Sequence, residues 1–329
     1  MLEVDTMLNV AMLSKWHVHA AGYARELMAM DDVNVTCIWD EEPERGAAWA
    51  KELGVAFEPD LNALLKRPDV DAVAVDCPTA LHPEVITAAA RAGKHIFTEK
   101  VLALTVKECD EVAKAINEAG VKFCISFPQR CWGRNKYIKG LIDDGSLGQV
   151  TVLRVRNAHD GSLRNWLPDY WYDRDLTGGG AMMDLGAHPM YLASWMMGRP
   201  RRIQSMFNNI TDRAVEDNSV STIEFENGAI VISETSLVAP MNPNMFEVYG
   251  TKGVVICQDQ EIKVKLSGQS EFFTPELPAD DLPPIRQWVE GILYGREIPF
   301  DLAAARDLTE LMENAYIADG TGHEVFFRK

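Results

Sequence analysis

Six β-branched or apolar runs, Leu8–Leu13, Val33–Trp39, Val55–Phe57, Val70–Val75, His95–Thr98 and Lys122–Ser126, punctuate the first part of the chain. Between them lie segments with helical patterning: Ala20–Met30, Glu44–Leu53, Leu61–Lys66, His82–Ala92 and Val106–Ala119. Gly54, Gly93 and Gly120 close the helical segments that they follow, as residues able to take the left-handed conformation of a helix end do. Strands alternating with helices predict a parallel, doubly wound sheet with helices on its faces. Ligands of such sheets bind outside the carboxyl ends of the strands. Lys15, Asp40, Thr79 and Lys100 all fall at such ends, so the pattern predicts one shared crevice.

After Pro128 the character changes. A helix over Asn135–Ile142 and an alternating strand over Gln149–Asn157 lead into a loop, Gly161–Thr177, that carries Trp166, Tyr170, Trp171 and Tyr172. A helix then runs to Met197 and stops at Gly198-Arg199-Pro200. From Ile203 to Phe273 short alternating strands are separated by turn residues such as Glu226-Asn227-Gly228 and Gly250-Thr251-Lys252-Gly253, which predicts a mostly antiparallel sheet. Two closing helices follow, around Pro284–Tyr294 and Ala303–Asp319. A chain of 329 residues favours two domains, here placed at 1–128 and 129–329. The fold class is therefore α/β: a doubly wound parallel sheet followed by an α+β domain with a large, mostly antiparallel open sheet.

The formal net charge of −17 argues against a general binder of nucleic acid or anionic membrane, since both need a basic footprint. The six cysteines are scattered without a C-x-x-C pair, and Cys37, Cys77 and Cys124 sit in apolar runs, so they read as buried small hydrophobes in a reducing compartment. Met1–Met7 carries Glu3 and Asp5 rather than a basic leader, and no long apolar stretch follows. A cytoplasmic location is expected.

The stretch Gly178-Gly179-Gly180-Ala181-Met182-Met183-Asp184-Leu185-Gly186-Ala187-His188-Pro189 concentrates the chemistry of the second half. In a regular helix Asp184 and His188 share one face, one turn apart. A carboxylate against an imidazole can hold its tautomer and stabilise its protonated form. The same pair is also ordinary helical decoration. The glycines let the backbone take positive φ or pass close to a bound molecule.

In this order and spacing the motifs resemble the Gfo/Idh/MocA group of oxidoreductases over almost the whole chain. Glu99-Lys100 is similar to that group's Glu-Lys-Pro motif, Cys77-Pro78-Thr79 with His82 to its nicotinamide-side loop, and Gly178–His188 to its substrate-side motif. Asp217-Asn218-Ser219, Glu224–Gly228 and Val248–Gly253 match its sheet. The resemblance implies an N-terminal Rossmann domain and an NAD(P)-dependent dehydrogenase or reductase of a sugar or cyclitol. It also implies a homodimer or homotetramer packed through the C-terminal sheet. The expected cofactor contacts are Ser14, Trp16, His17, Val18, Asp40, Glu41, Pro78, Thr79, His82, Glu99 and Lys100. The proton-handling set is Lys100, Asp184 and His188, with either Lys100 or His188 as the base. Arg130, His159, Trp166, Trp171 and Tyr172 are expected to line the substrate pocket, aromatic rings covering the apolar face of a sugar.

Two departures stand out. Ser14, Trp16 and His19 replace the three glycines of G-x-G-x-x-G, whose roles are a tight turn, close approach to pyrophosphate and close helix packing. Either a reshaped turn holds the phosphates through Ser14, His17 and helix N-terminal amides, or the dinucleotide site is lost. His19 is expected to pack under this turn. Val101 replaces the proline after Lys100, and a trans bond is expected there. Asp40 ends the second strand, where a carboxylate can bind ribose hydroxyls, and Glu41 beside it would repel a 2′-phosphate, so NAD(H) is expected over NADP(H). Of the histidines only His17 and His19 are close in sequence, and no metal site is expected. Two other classes remain open: a lyase or hydrolase of oxidised sugars that retains NAD or a metal, and a non-catalytic homologue without cofactor.

Overall fold

The computed structural model describes residues 7–241, 244–258 and 261–327. The acidic start read above lies outside the described residues except for Met7. The chain divides into two compact units, one running through Ser126 and including Leu282–Arg306, the other formed by Phe127–Asp281 and the chain from Asp307.

The first unit is built on six parallel strands, β1 (Leu8–Leu13), β2 (Val33–Trp39), β3 (Ala56–Phe57), β4 (Ala72–Val75), β5 (His95–Thr98) and β6 (Phe123–Ile125). Their order is β3-β2-β1-β4-β5-β6, so the chain reverses direction across the sheet between β1 and β4. That reversal is the topological switch point at which such sheets bind ligands. All four residues of β4 are buried, which is why it reads as a continuous apolar run rather than an alternation. The helices are α1 (Ala20–Met28), α2 (Pro43–Leu53), α3 (Leu61–Leu65), α4 (His82–Arg91) and α5 (Val106–Ala119). Local signals set their ends: Asp60 caps α3, Thr105 and Glu108 form a capping box on α5, and Gly54 and Gly120 take φ of 72° and 65°.

Residues 282–306 complete this unit. Trp288, fully buried on the helix Pro284–Leu293, packs on Phe97 of β5 with ring centroids 5.8 Å apart. The Ile125 N–H donates to the Phe300 carbonyl at 3.0 Å. Arg286 and Tyr294 both bond to Asp32, at 2.6 and 2.8 Å.

The second unit holds β7 (Val150–Ala158), β8 (Pro200–Asn208), β9 (Asn218–Phe225), β10 (Ile230–Ser236), β11 (Met245–Gly250), β12 (Gly253–Gln258), β13 (Glu261–Leu266) and β14 (Val325–Phe326). They form one sheet, ordered β13-β12-β11-β7-β10-β9-β8-β14. Of these pairings only β7 with β10 is parallel. Alternation sorts the faces. Leu153, Val155, Val231, Ile223 and Phe225 are buried, and the almost wholly apolar helix Ala187–Met197 packs against β7 and β10. On the opposite face one cross-strand row runs Met206, Val220, Glu234, Arg156, Met245. Arg154 and Arg156 both pair with Glu234 at 2.8 Å. No helix among the described residues is long and apolar enough to cross a membrane.

The glycine run is explained by the protein itself. Gly178 ends the short helix Arg174–Thr177 at φ 78°. A Cβ on Gly179 would lie 1.8 Å from the Tyr316 hydroxyl, and one on Gly180 would lie 2.0 Å from the Glu216 carbonyl oxygen. The Glu216 carboxylate receives the Gly180 N–H at 2.9 Å, the Met182 N–H at 3.0 Å and the Tyr316 hydroxyl at 2.7 Å. The close approach of Gly179 and Gly180 is thus to the last helix and to the segment before β9, while Gly178 takes the positive φ that the sequence allowed. Gly180→Ala is expected to destabilise by about 1–3 kcal/mol, because backbone blocks the new methyl. Gly140→Ala, where a Cβ meets nothing within 4 Å, is expected to gain about 0.5–1 kcal/mol. Chemical denaturation of the two variants checks both signs.

Candidate active site

The turn after β1 is reshaped around its substituted glycines. Ser14 takes the left-handed conformation, φ 82°, that the first glycine would supply. Its N–H bonds to the Trp39 carbonyl and its hydroxyl receives the Trp16 N–H at 3.0 Å. The Lys15 N–H donates to Asp40 Oδ2 at 2.8 Å, the His17 N–H to the Asp76 carbonyl at 3.0 Å, and the His19 N–H to His17 Nδ1 at 3.2 Å. Trp16 is buried where a glycine would leave room for phosphate. Within residues 14–19 the Val18 N–H stands outside this set of bonds, and Val18 is 48% exposed.

Asp40 faces inward. Its Oδ1 receives the Glu42 N–H and Arg45 Nη2, and its Oδ2 receives the Lys15 N–H and Arg45 Nε, so each oxygen has two donors. Arg45 also bonds Glu41 Oε1 at 2.6 Å. Glu41 Oε2 is buried without a hydrogen-bond partner among the described residues. Burial and the neighbouring Asp40 push the Glu41 carboxyl upward against the pull of Ser14 and Arg45. An orphaned acceptor at the end of β2 fits a ribose hydroxyl. The strand ends therefore fit a dinucleotide, with Glu41 as the open acceptor and Val18 as the open amide. Lys15 points away toward α2, its ammonium 2.8 Å from Glu52 and over the Trp49 ring.

Glu99, after β5, is the hub of the next strand ends. Its Oε1 lies 2.9 Å from His19 Nδ1 and 3.9 Å from His17 Nδ1, and it accepts a short hydrogen bond from the Tyr23 hydroxyl. Its Oε2 receives the Lys100 N–H at 3.0 Å. Burial would raise its carboxyl, but His17, His19 and Lys100 outweigh that and hold it well below the usual range. Tyr23, also bonded to Ser126 at 2.7 Å, is pushed well upward by burial and by Glu99. His19 is not packed under the turn as expected: its side chain is half exposed and turned to Glu99, because the buried carboxylate attracts it. Asp76, after β4, has no hydrogen-bond partner on either carboxylate oxygen among the described residues. Burial, and then the charge of Glu99, drives its carboxyl well upward.

Lys100 is buried, and the Lys100–Val101 bond is cis, which corrects the trans expectation. The local preference of a Lys–Val bond for trans is set against these surroundings: Val101 and Leu102 are fully buried, and His82 Nδ1 lies 2.8 Å from the Val101 carbonyl. The other His82 nitrogen lies 3.0 Å from the Cys77 carbonyl, so this ring ties the Cys77-Pro78-Thr79 loop to the Lys100 segment. Burial lowers the His82 pKa despite the two carbonyls.

In the second unit Met182–Gly186 is a π-helical turn that leads into the helix Ala187–Met197, so the regular helix assumed for Asp184 and His188 is interrupted between them. Wide turns of this kind concentrate at functional sites. Asp184 Oδ2 receives Trp171 Nε1 at 3.3 Å, and His188 Nδ1 lies 2.9 Å from the Tyr191 hydroxyl. Tyr191 in turn stacks on Phe127 and accepts the Gln129 N–H. His159 and Trp166 pack ring on ring at 4.6 Å, Trp166 remaining 52% exposed and bonded to Asp160. Tyr172 is buried, with Arg213 over its ring and Ser162 on its hydroxyl. Arg130 lies over the Trp195 ring at 5.2 Å.

Sequence reasoning passed over Tyr23, Asp76, Ser126 and Tyr191. Two had signals: Tyr23 stands four residues after His19 at the start of a helix, and Asp76 is an acid set directly on the end of a buried strand.

Residues 17–127 match a family model described as an oxidoreductase family with an NAD-binding Rossmann fold, and residues 135–256 match the GFO/IDH/MocA C-terminal domain. The first match begins after Ser14 and Trp16. A 1,5-anhydro-D-fructose reductase of Ensifer adhaerens is 30% identical over 68% of this chain and 67% of its own. A 2,7-anhydro-N-acetylneuraminate hydratase of Escherichia coli (strain K12) is 27% identical over 77% of this chain and 69% of its own. A levoglucosan dehydrogenase solved with NADH and L-sorbose superposes with a TM-score of 0.85 at 21% identity, covering 98% of this chain and 100% of its own, a likeness of fold. The chain is thus a member of the Gfo/Idh/MocA family, an oxidoreductase of the NAD(P)-dependent dehydrogenase and reductase class.

Proposed function

We propose that the protein oxidises a sugar or cyclitol hydroxyl, or reduces the corresponding ketone, with NAD(H). A bound nicotinamide supplies the hydride acceptor or donor. His188 takes the hydroxyl proton, or returns it, and its contact with Tyr191 fixes the ring's orientation. Asp184, oriented by Trp171, steadies the imidazolium. Lys100 lends positive charge to the developing alkoxide. The half-exposed Trp166, packed at a tilt against His159, offers an apolar surface to one face of a sugar ring, with Arg130, Trp171 and Tyr172 beside it in the substrate role. The observation that carries this reading is the retention of Lys100, Asp184 and His188 in a chain of this family, each buried or bonded to a side chain that orients it.

A hydratase among the relatives favours a second reading, in which the same residues serve elimination or addition of water on an oxidised sugar. Net NAD reduction over a panel of polyols supports the first reading, and substrate turnover without net change in NADH supports the second.

We further propose that Glu41 accepts a ribose hydroxyl, and that Asp40 with Glu41 disfavours a 2′-phosphate. The open face of the large sheet, with Met206, Val220 and Ile230 exposed on it, is proposed as the surface of a homodimer or homotetramer.

His188→Ala is expected to keep the fold and NAD(H) binding and to lower kcat about 10²–10⁴-fold, as loss of a general acid–base does. Steady-state kinetics beside a fluorescence titration of NADH check this, and unchanged turnover would refute the role. NAD(H) is expected to bind more tightly than NADP(H), and Glu41→Gln to weaken NAD(H). A lower dissociation constant for NADP(H) sinks the preference. Val220→Arg is expected to shift the mass measured by light scattering toward the monomer, whereas an unchanged mass places the interface elsewhere.

A further inference from the structure

We propose that His17, His19 and Glu99 form a binding site for a divalent transition-metal ion at the carboxyl ends of β1 and β5, with the buried Asp76 carboxyl at the end of the strand between them. The three residues each offer a ligand atom, and these atoms all lie within 4.8 Å of one another. Glu99 Oε1 stands 2.9 Å from His19 Nδ1 and 3.9 Å from His17 Nδ1. Ligands held about 2.0–2.2 Å from one zinc-sized ion stand roughly 3–3.5 Å apart, so the spread needs little adjustment. The His19 N–H on His17 Nδ1 is the contact that an ion at that nitrogen would replace.

Asp76 supplies the independent observation. The pairing of His19 with Glu99 and Tyr23 could by itself be a buried ion pair. It leaves unexplained a fully buried carboxylate with no hydrogen-bond partner on either oxygen among the described residues. Such a group is neutralised by a proton or by a nearby cation, and a bound metal ion would supply the second. The backbone ties Asp76 to the segments that carry the ligands: its carbonyl accepts the His17 N–H, and the Glu99 N–H bonds to the adjacent Val75. β4, which leads into Asp76, lies between β1 and β5.

Two imidazoles with carboxylates select borderline ions such as Zn²⁺, Fe²⁺ or Mn²⁺ over Ca²⁺ and Mg²⁺, which prefer all-oxygen sets. The support expected around such a centre is present. Tyr23 and the Lys100 N–H hold the two oxygens of Glu99, and Ser126 holds Tyr23. The half-exposed His19 and exposed Val18 leave an entry path from solvent. A partly filled coordination shell leaves positions for water or for a hydroxyl or carbonyl oxygen of a ligand. Of the residues that replaced the glycines of the turn, His19 is thus itself a donor. This site does not depend on the hydride-transfer reading.

The test uses the full chain, dialysed against EDTA and titrated with ZnCl₂ by calorimetry, with metal content measured by mass spectrometry. One equivalent per chain at micromolar affinity is expected. His19→Gln and Asp76→Asn are expected to weaken binding at least about tenfold, while His323→Gln, at an exposed position, leaves it unchanged. Circular dichroism establishes that each variant is folded, and His19→Gln, at a half-exposed side chain, decides the matter if Asp76→Asn is not. Cobalt substitution supplies a second readout, visible bands in the wild type that His19→Gln removes. No zinc uptake by the stripped protein, or equal uptake by folded His19→Gln, overturns the proposal.

Discussion

The amides of the turn after β1 need acceptors, and the way they find them governs the chemistry along the whole carboxyl edge of the first sheet. In a glycine-rich turn those N–H groups are left for phosphate. Here Lys15 gives its N–H to Asp40, Trp16 to the Ser14 hydroxyl, His17 to the Asp76 carbonyl and His19 to His17. Each bond commits a second residue. Asp40, drawn inward, brings Arg45 with it, and Arg45 reaches Glu41. Asp76 is held by its backbone against His17, which leaves its carboxylate buried and unanswered. A change of three glycines thus redistributes charge over β1, β2, β4 and β5 without altering the strand order.

The second unit solves a different problem with glycine. Gly179 and Gly180 are small because Tyr316 and the backbone at Glu216 come within a bond length or two of where a side chain would begin. Glu216 then serves as anchor for the start of the π-helical turn through two amides and a tyrosine hydroxyl. The π-helical turn sets Asp184 on Trp171, and His188 on the following helix faces Tyr191. The glycine run is thus a tightly packed anchor for the turn.

Most of the architecture was legible because it rests on local periodicity. The alternation from Leu8 to Ser126 yields the parallel sheet, and the alternation from Ile203 onward yields the mostly antiparallel one. Lys100, Asp184 and His188 stood out because motif spacing survives in one dimension. What was not legible depends on contacts between distant segments. His17 and His19 gain their meaning only from Glu99, some eighty residues on. The cis bond at Lys100 rests in packing around Val101 and His82, where sequence offered only an average preference. Asp40 was rightly seen at a strand end, yet nothing in the sequence told that Arg45 occupies it and that Glu41 keeps the open oxygen.

The return of residues 282–306 to the first unit has a consequence for the order in which this protein can be made. Phe97 and β6 are finished early in synthesis, but Trp288 and the Phe300 carbonyl that answer them arrive only after β7 through β13 of the second sheet have been translated. Until then the nascent first unit carries an open sheet edge and an uncovered aromatic surface, the features that recruit wrong partners. Closing so long a loop also adds contacts distant in sequence, which slow folding. The first unit, although its strands are encoded in one continuous run, is completed only by a segment that is made long after them.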